Sequence, residues 1–135
     1  MAITDRVVVD TNVLVSRLLL PQSIPAQAVR RALDSTLLFS EATMNELADV
    51  LSRAKFDPYI ARRDREQFVR ELCTIGEFVP IIQLVRDCPD PSDNKFLEVA
   101  LNGRADPILT GDADLLALHP WRKIAIVTPA EYLKR

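Results

Sequence analysis

The sequence predicts an α/β fold in which a parallel sheet is covered by helices on both faces. Three observations carry this. Strand-like and helix-like segments alternate along the chain, the pattern that calls for a parallel sheet with crossover helices. The first strand candidate contains Val7-Val8-Val9, a β-branched run suited to a strand buried on both faces. Hydrophobic residues make up 48% of the 135 residues, enough for a proper core at this length. No repeat, low-complexity tract or linker interrupts the pattern, so residues 1–135 are expected to form one domain.

Arg6 to Asp10 is the first strand. Asn12 to Leu20 reads as a short helix stopped at Pro21, and Pro25 to about Asp34 as a second, with Ala28, Val29 and Ala32 on its apolar side. Thr36 to Phe39 is the second strand. Ser40 can cap the helix that follows, with Glu41 favourable in its first turn. Leu47, Val50, Leu51 and Ala54 form the inward stripe of that helix, and Asp57-Pro58 breaks it. Asp64 to about Gly76 is the next helix, with Phe68, Val69 and Leu72 at helical spacing and Gly76 as a stop. Phe78 to Ile82 is a third strand, followed by the turn-rich Asp87-Cys88-Pro89-Asp90-Pro91-Ser92. Asp93 to Asn102 is a helix that buries Phe96, Leu97, Ala100 and Leu101 and ends at Gly103. Pro107 to Thr110 is a strand entering Gly111, Asp114 to Leu118 a short helix, and Ile124 to Val127 the last strand. Thr128-Pro129-Ala130-Glu131 is a capping box with proline at the first helical position, opening a terminal helix.

Formal net charge is −2, from 17 basic and 19 acidic residues, which argues against a purely electrostatic nucleic-acid binder. It leaves a nuclease open, because an acidic metal site offsets basic residues elsewhere. Cys73 and Cys88 are too few for a disulfide framework, and with His119 they do not make a four-ligand zinc site. Reduced cysteines are expected. No stretch reaches the roughly 18 apolar residues of a membrane span. The opening Met1-Ala2-Ile3-Thr4-Asp5-Arg6 runs straight into strand-like residues. The first apolar run ends in Asp10-Thr11-Asn12, so removing it as a leader would remove a motif. The expectation is a cytoplasmic protein without membrane contact.

In an open α/β sheet, ligands bind beyond the carboxyl ends of the strands, near the point where strand order reverses. Asp10 follows the first strand directly. Asp112 follows Ile108-Leu109-Thr110-Gly111, and Asp114 comes two residues later. Asp93 opens a helix after a strand and a loop, so it belongs to the same rim. Glu46 lies in the second turn of its helix beside Leu47, where a side chain can reach over the sheet edge. Each acid has a simpler role available. Asp10 fits a turn, Asp93 a helix cap and Glu46 a solvated helix face, while Asp112 and Asp114 fit a turn and a cap. What sets them apart is four or five acids at one rim of one sheet. Crowded carboxylates repel unless protons or cations intervene, and hard oxygen ligands favour Mg²⁺ or Mn²⁺. Two such ions about 3.5–4 Å apart stabilise the attacking and leaving oxygens of a phosphodiester. The chemistry expected is therefore metal-assisted phosphodiester hydrolysis, with water as the nucleophile.

Five segments in order extend the reading. They are Val7-Val8-Val9-Asp10-Thr11-Asn12-Val13-Leu14, Asn45-Glu46-Leu47, Asp90-Pro91-Ser92-Asp93-Asn94-Lys95-Phe96-Leu97-Glu98-Val99-Ala100, Leu109-Thr110-Gly111-Asp112-Ala113-Asp114-Leu115-Leu116 and Ile126-Val127-Thr128-Pro129-Ala130-Glu131-Tyr132-Leu133. Together, over almost the whole chain, they resemble the PIN-domain family of ribonucleases. More narrowly, they are similar to the bacterial and archaeal PIN proteins described as toxin components of toxin–antitoxin pairs (VapC-like). The resemblance implies a five-stranded parallel sheet in a three-layer α/β/α sandwich, and cleavage of single-stranded RNA with Mg²⁺ or Mn²⁺. It puts Asp10, Glu46, Asp93 and Asp112 on the family's catalytic, metal-holding acids and Asp114 on a more variable extra acid of the metal set. Asn12 and Thr110 fall on polar positions that orient the site. Asp90 reads first as a loop or cap residue and only then as a ligand. A homodimer and an antitoxin partner are implied as well.

Lys95 follows Asp93 so closely that it is a candidate for the substrate phosphate, against the plain reading of an exposed helix lysine. Arg62-Arg63-Asp64-Arg65 is an RNA-backbone patch or, more simply, a solvated helix start. Arg17, Arg53 and Lys55 lie near predicted rim elements. His119 is not needed as a general base where metal activates water. Two other functions fit less of the sequence. Haloacid dehalogenase-like phosphatases also place an Asp after the first strand, but need a second Asp two residues on, where this chain has Asn12, and a lysine motif it lacks. A non-catalytic binding module on the same fold has no reason to keep costly like charges together.

Overall fold

A computed structural model describes residues 5–135; residues 1–4, expected to lead straight into the first strand, lie outside them. Five short strands form one sheet: β1 (Arg6–Val9), β2 (Thr36–Phe39), β3 (Glu77–Phe78), β4 (Pro107–Leu109) and β5 (Ala125–Val127). Every pairing is parallel, and the spatial order is β3-β2-β1-β4-β5. The helices are α1 (Thr11–Leu19), α2 (Ile24–Ala32), α3 (Glu41–Leu51), α4 (Arg62–Ile75), α5 (Asn94–Asn102), α6 (Ala113–Leu116) and α7 (Pro129–Leu133). No helix among the described residues is long and apolar enough to cross a membrane.

The strand period of two divides the apolar side chains between two cores. Val7, Val9, Leu37, Phe39, Leu109 and Val127 face one side, with Leu14 of α1, Val29 of α2, Leu47 of α3, Leu72 of α4 and Tyr132 of α7. Val8, Leu38, Ile108 and Ile126 face the other, with Phe96 and Leu97 of α5, Leu115 of α6 and Trp121. This is the expected three-layer α/β/α sandwich with a central five-stranded parallel sheet. Burial of each large aliphatic or aromatic side chain contributes about 1.5–3 kcal/mol. The helix starts follow the sequence signals. Ser40 and Thr43 form a reciprocal capping box for α3, and Thr128 and Glu131 form one for α7. The chain moves outward from β1 through β2 to β3, then returns to build β4 and β5 on the opposite flank. Strand order thus reverses between β1 and β4, and a crevice opens beyond their carboxyl ends.

Three local expectations are corrected. The third strand stops at Phe78 and does not continue to Ile82. Val79 N donates the last ladder bond to Phe39 O at 2.7 Å, and Pro80 has no N–H to continue it. The following amides turn to side chains of α5. Ile82 N and Gln83 N donate to Asn102 Oδ1, Val85 N to Glu98 Oε2 and Cys88 N to Asn94 Oδ1, at 2.9–3.1 Å. Asn94, Glu98 and Asn102 are spaced four apart, so one helix face straps this segment down. In α3 the inward stripe is Met44, Leu47 and Leu51, with Val50 half-buried against the same core as expected and Ala54 outside it. The helix ends at Leu51, before Asp57-Pro58, and Ala54 opens an exposed 3₁₀ turn in which Phe56 takes the buried place.

The third correction concerns Arg65, which is neither a solvated residue nor part of a backbone-binding patch. It is 1% exposed. Its guanidinium donates to Leu51 O (2.6 Å), Arg53 O (3.2 Å) and Ile60 O (3.1 Å), and pairs with Asp57. This pairing holds the Asp57 carboxyl below the usual carboxylate range. One side chain therefore satisfies the backbone carbonyls of the connection between α3 and α4. Arg65→Met leaves those acceptors unpaired, at about 1–3 kcal/mol each where buried. Urea unfolding is expected to show a loss of at least about 3 kcal/mol in total, only partly recovered by Arg65→Lys. A loss below about 0.5 kcal/mol would mean that the clamp contributes no more than an ordinary surface residue.

Candidate active site

The site forms where the chain leaves β1 and β4 at the same edge. Asp10 N donates to Leu109 O at 2.9 Å, which carries the β1–β4 ladder one residue further and fixes Asp10 at the mouth of the crevice. Asp10 is only 6% exposed. Thr110, fully buried, donates its hydroxyl to Asp10 Oδ2 at 2.6 Å and accepts from Asp112 N at 3.0 Å. Asp112 in turn caps α6, accepting from Leu115 N at 3.0 Å. One hydroxyl therefore links two acids from the two strands that flank the reversal.

Asp93 arrives from the opposite layer. It ends a 3₁₀ turn, Pro91–Asp93, that leads into α5. Asp90 caps this turn, its Oδ1 accepting from Ser92 N and Ser92 Oγ, and those bonds hold its carboxyl below the usual range. Asp93 makes no capping bond of its own, so its carboxyl is available to the site. Its pKa is pushed up to about 7, first by burial, then by the charges of Asp112, Asp90 and Asp10. Asp10 is likewise raised, mainly by burial, with the charges of Glu46 and Asp112 adding to it. The Thr110 hydroxyl and the Asn12 amide oppose that rise, although the amide makes no regular capping bond to Asp10.

Glu46 reaches in from α3, and both of its oxygens have partners. Oε1 accepts from Lys95 Nζ at 2.7 Å, and Oε2 accepts from the Thr11 hydroxyl. Lys95 is thus drawn onto an acid rather than left as an exposed helix lysine. Thr11, buried directly behind Asp10, is a site residue that sequence reasoning missed; nothing in its spacing marks it. Asp114 is exposed in the first turn of α6 and makes no bond to the other acids, though its charge, with those of Asp93 and Asp112, raises the buried Cys88 thiol after burial itself. Asn12 lines the crevice with Asp10, Ser16, Gly111 and Asp112, around a volume of about 460 Å³. Arg17, Arg53 and Lys55 do not line it. His119 Nδ1 accepts from Ile126 N at 2.9 Å, which ties its loop to β5 and takes up that nitrogen.

Among the described residues, no three Asp, Glu, His or Cys side chains converge tightly enough to enclose an ion. The donor chemistry nevertheless fits a hard divalent cation. Asp10, Asp93 and Asp112 supply only carboxylate oxygen, and the repulsion among their charges marks a place where positive charge is favourable. An open arrangement suits Mg²⁺, which keeps several waters and takes one or two carboxylates.

Comparison with known proteins agrees with this geometry. The family profile described as PIN domain matches residues 6–114. The uncharacterized protein MJ1680 of Methanocaldococcus jannaschii is 27% identical over 143 residues, covering 96% of this chain and 90% of that protein. Two solved structures share the fold. PAE2754 from Pyrobaculum aerophilum aligns over 100% of both chains at 13% identity with a TM-score of 0.62. A chain of VapBC2 from Rickettsia felis, crystallised with a DNA fragment from its promoter, aligns over 91% of this chain and 98% of its own at 10% identity with a TM-score of 0.61.

The raised Asp93 pKa has a signed consequence for the metal-free protein. Between the ordinary value of 3.8 and about 7, the unfolded chain gives up its proton while the folded carboxyl keeps it. Stability is then complete at the acidic end of that window and is lost as pH rises through it. Asp93→Asn is expected to raise the melting temperature in EDTA more at pH 8 than at pH 5. Equal shifts at the two pH values would show that Asp93 does not carry the repulsion.

Proposed function

The chain belongs to the PIN-domain family, and from that premise we propose that it is a divalent-metal-dependent endoribonuclease of single-stranded RNA, the toxin of a toxin–antitoxin pair. The observation that carries this reading is the Asp10–Thr110–Asp112 bridge at the reversal of strand order, with the charges of Asp112 and Asp10 bearing on the Asp93 carboxyl. Acids raised by burial and mutual repulsion, with Asp10 and Asp112 lining a crevice, are the arrangement expected of a reactive site rather than of a scaffold. In this reading Asp10, Glu46, Asp93 and Asp112 hold the ion, with Asp114 beside them. Thr110 orients Asp10 and accepts the Asp112 backbone amide. The Asn12 amide at the start of α1 lends its dipole to the same carboxylate. When bound, Mg²⁺ or Mn²⁺ supplies an activated water and neutralises charge on the scissile phosphate. The fold shared with VapBC2 supports an antitoxin partner, while single-stranded RNA and a homodimer are carried over from the family resemblance of the motifs quoted above.

With Mn²⁺ or Mg²⁺ the purified protein is expected to cleave a single-stranded oligoribonucleotide, and EDTA to stop it. Asp10→Asn and Asp93→Asn should each lower the rate by at least about a hundredfold with the fold intact by circular dichroism. Wild-type turnover in either variant rules out the carboxylate assignment. If Mn²⁺ neither binds nor stabilises the protein, a non-catalytic binding module becomes the better reading.

A further inference from the structure

The chain has only three glycines, about a third of what an average content of about 7% would give. Two of them are required by the fold. A methyl group at Gly76 would lie 2.6 Å from Phe39 Cδ2 and 2.8 Å from Leu72 O, and one at Gly103 2.8 Å from Val99 O and 2.9 Å from Val79 Cγ2. These glycines close α4 and α5, where a side chain would have to displace its neighbours. Gly111 has no such reason. Beyond its two chain neighbours, a methyl group there would meet no heavy atom within 4 Å. No glycine among the described residues has a left-handed φ, so no turn demands one at this position either. Gly111 is exposed and lines the crevice between Thr110, which holds Asp10, and Asp112. When neither packing nor backbone conformation calls for glycine, close approach by a ligand is the use that remains. The crevice is tight enough for one methyl group to matter. At about 460 Å³ it lies toward the small end of the range for ligand pockets, about 300–1,000 Å³. Apart from Asp10 and Asp112 its wall carries no charge, being formed by Asn12, Ser16 and apolar residues such as Pro25 and Pro129.

We propose that the bare backbone of Gly111 is a substrate contact, the surface on which the ribose next to the scissile phosphate rests. The proposal deepens the ribonuclease reading and rests on it. Gly111 is one residue from Asp112 and one from the Asp10 tether, so atoms lying on it are neighbours of the group that the acids act on. With no lysine or arginine in the crevice wall, the strand is seated there by shape. A side chain at position 111 would occupy that seat, leaving the fold and the acids as they are.

Gly111→Ala and Gly111→Leu test this by size. Both variants are expected to melt at or above the wild-type temperature, because they remove freedom from the unfolded chain. Both should also keep the wild-type Mn²⁺ affinity, measured from the electron paramagnetic resonance of free Mn²⁺. KM for a fluorescent single-stranded oligoribonucleotide should rise at least about tenfold in Gly111→Ala and further in Gly111→Leu. Affinity for the same oligomer, read by stopped-flow anisotropy before turnover, should fall in the same order. Wild-type KM and affinity in Gly111→Leu overturn the contact; if that variant fails to fold, wild-type values in Gly111→Ala do so. A lower melting temperature or a loss of Mn²⁺ in Gly111→Ala overturns it as well, since the glycine then serves the fold or the ion. These results leave metal-dependent cleavage standing. A wild type that binds the oligomer without cleaving it, and binds it more weakly once substituted, sinks the ribonuclease reading and keeps the contact. A wild type that neither binds nor cleaves overturns both.

Discussion

The hydroxyl of Thr110 joins the two strands on either side of the reversal in strand order, and the geometry of the crevice depends on it. It gives Asp10 a hydrogen bond inside the sheet edge and takes one from the amide of Asp112. A buried carboxylate without a donor is costly. Thr110 supplies that donor to Asp10 and at the same time accepts the backbone amide of Asp112. Its buried position follows from β4, because Ile108 and Leu109 are packed into opposite cores and leave Thr110 at the strand's end with no freedom to move. Each layer of the sandwich therefore contributes to where one hydroxyl sits.

The acids themselves oppose folding. Asp10 and Asp93 are harder to ionise in the folded chain than in the unfolded one, so at neutral pH they subtract from stability. Reactive sites commonly carry such local conflicts, offset by consistent structure elsewhere. Here the offsets are two cores that divide by strand alternation, reciprocal caps on α3 and α7, and the Arg65 clamp behind α3. The ion pair of Glu46 with Lys95 belongs to both accounts, since the Glu46 charge adds to the repulsion at Asp10 while the pair ties α3 to α5.

Much of this was legible in the sequence, and for physical reasons. Val7-Val8-Val9 followed by Asp10 is a buried strand ending in a charge, a pairing that strand burial does not otherwise explain. Thr36–Phe39 reads correctly because turn and cap residues bound it on both sides. The order of elements placed Asp10 and Asp112 at one rim, and the fold does so. What stayed hidden depends on contacts between distant positions. Arg65 sits in a run of charges, and only the geometry of the α3–α4 connection reveals that one of them is inside. Lys95 and Glu46 are 49 residues apart, and no local spacing announces such a pair. The third strand looked longer because Val79, Ile81 and Ile82 have strand-like composition. Past Val79 the ladder ends, and the amides of Ile82 and Gln83 bond to Asn102 of α5 instead, a choice made by the tertiary partner and invisible to local propensity.

Asp112 does two things at once. Its carboxylate belongs to the acid cluster, and the same carboxylate accepts the Leu115 amide that starts α6. A reagent that removes this acid also removes a helix cap, worth on the order of 1 kcal/mol. Loss of activity in Asp112→Ala would therefore mix chemistry with the unwinding of a four-residue helix. Asparagine retains the capping oxygen and discards the charge, so the amide at this position distinguishes an enzyme deprived of its ion from one whose active-site wall has come loose.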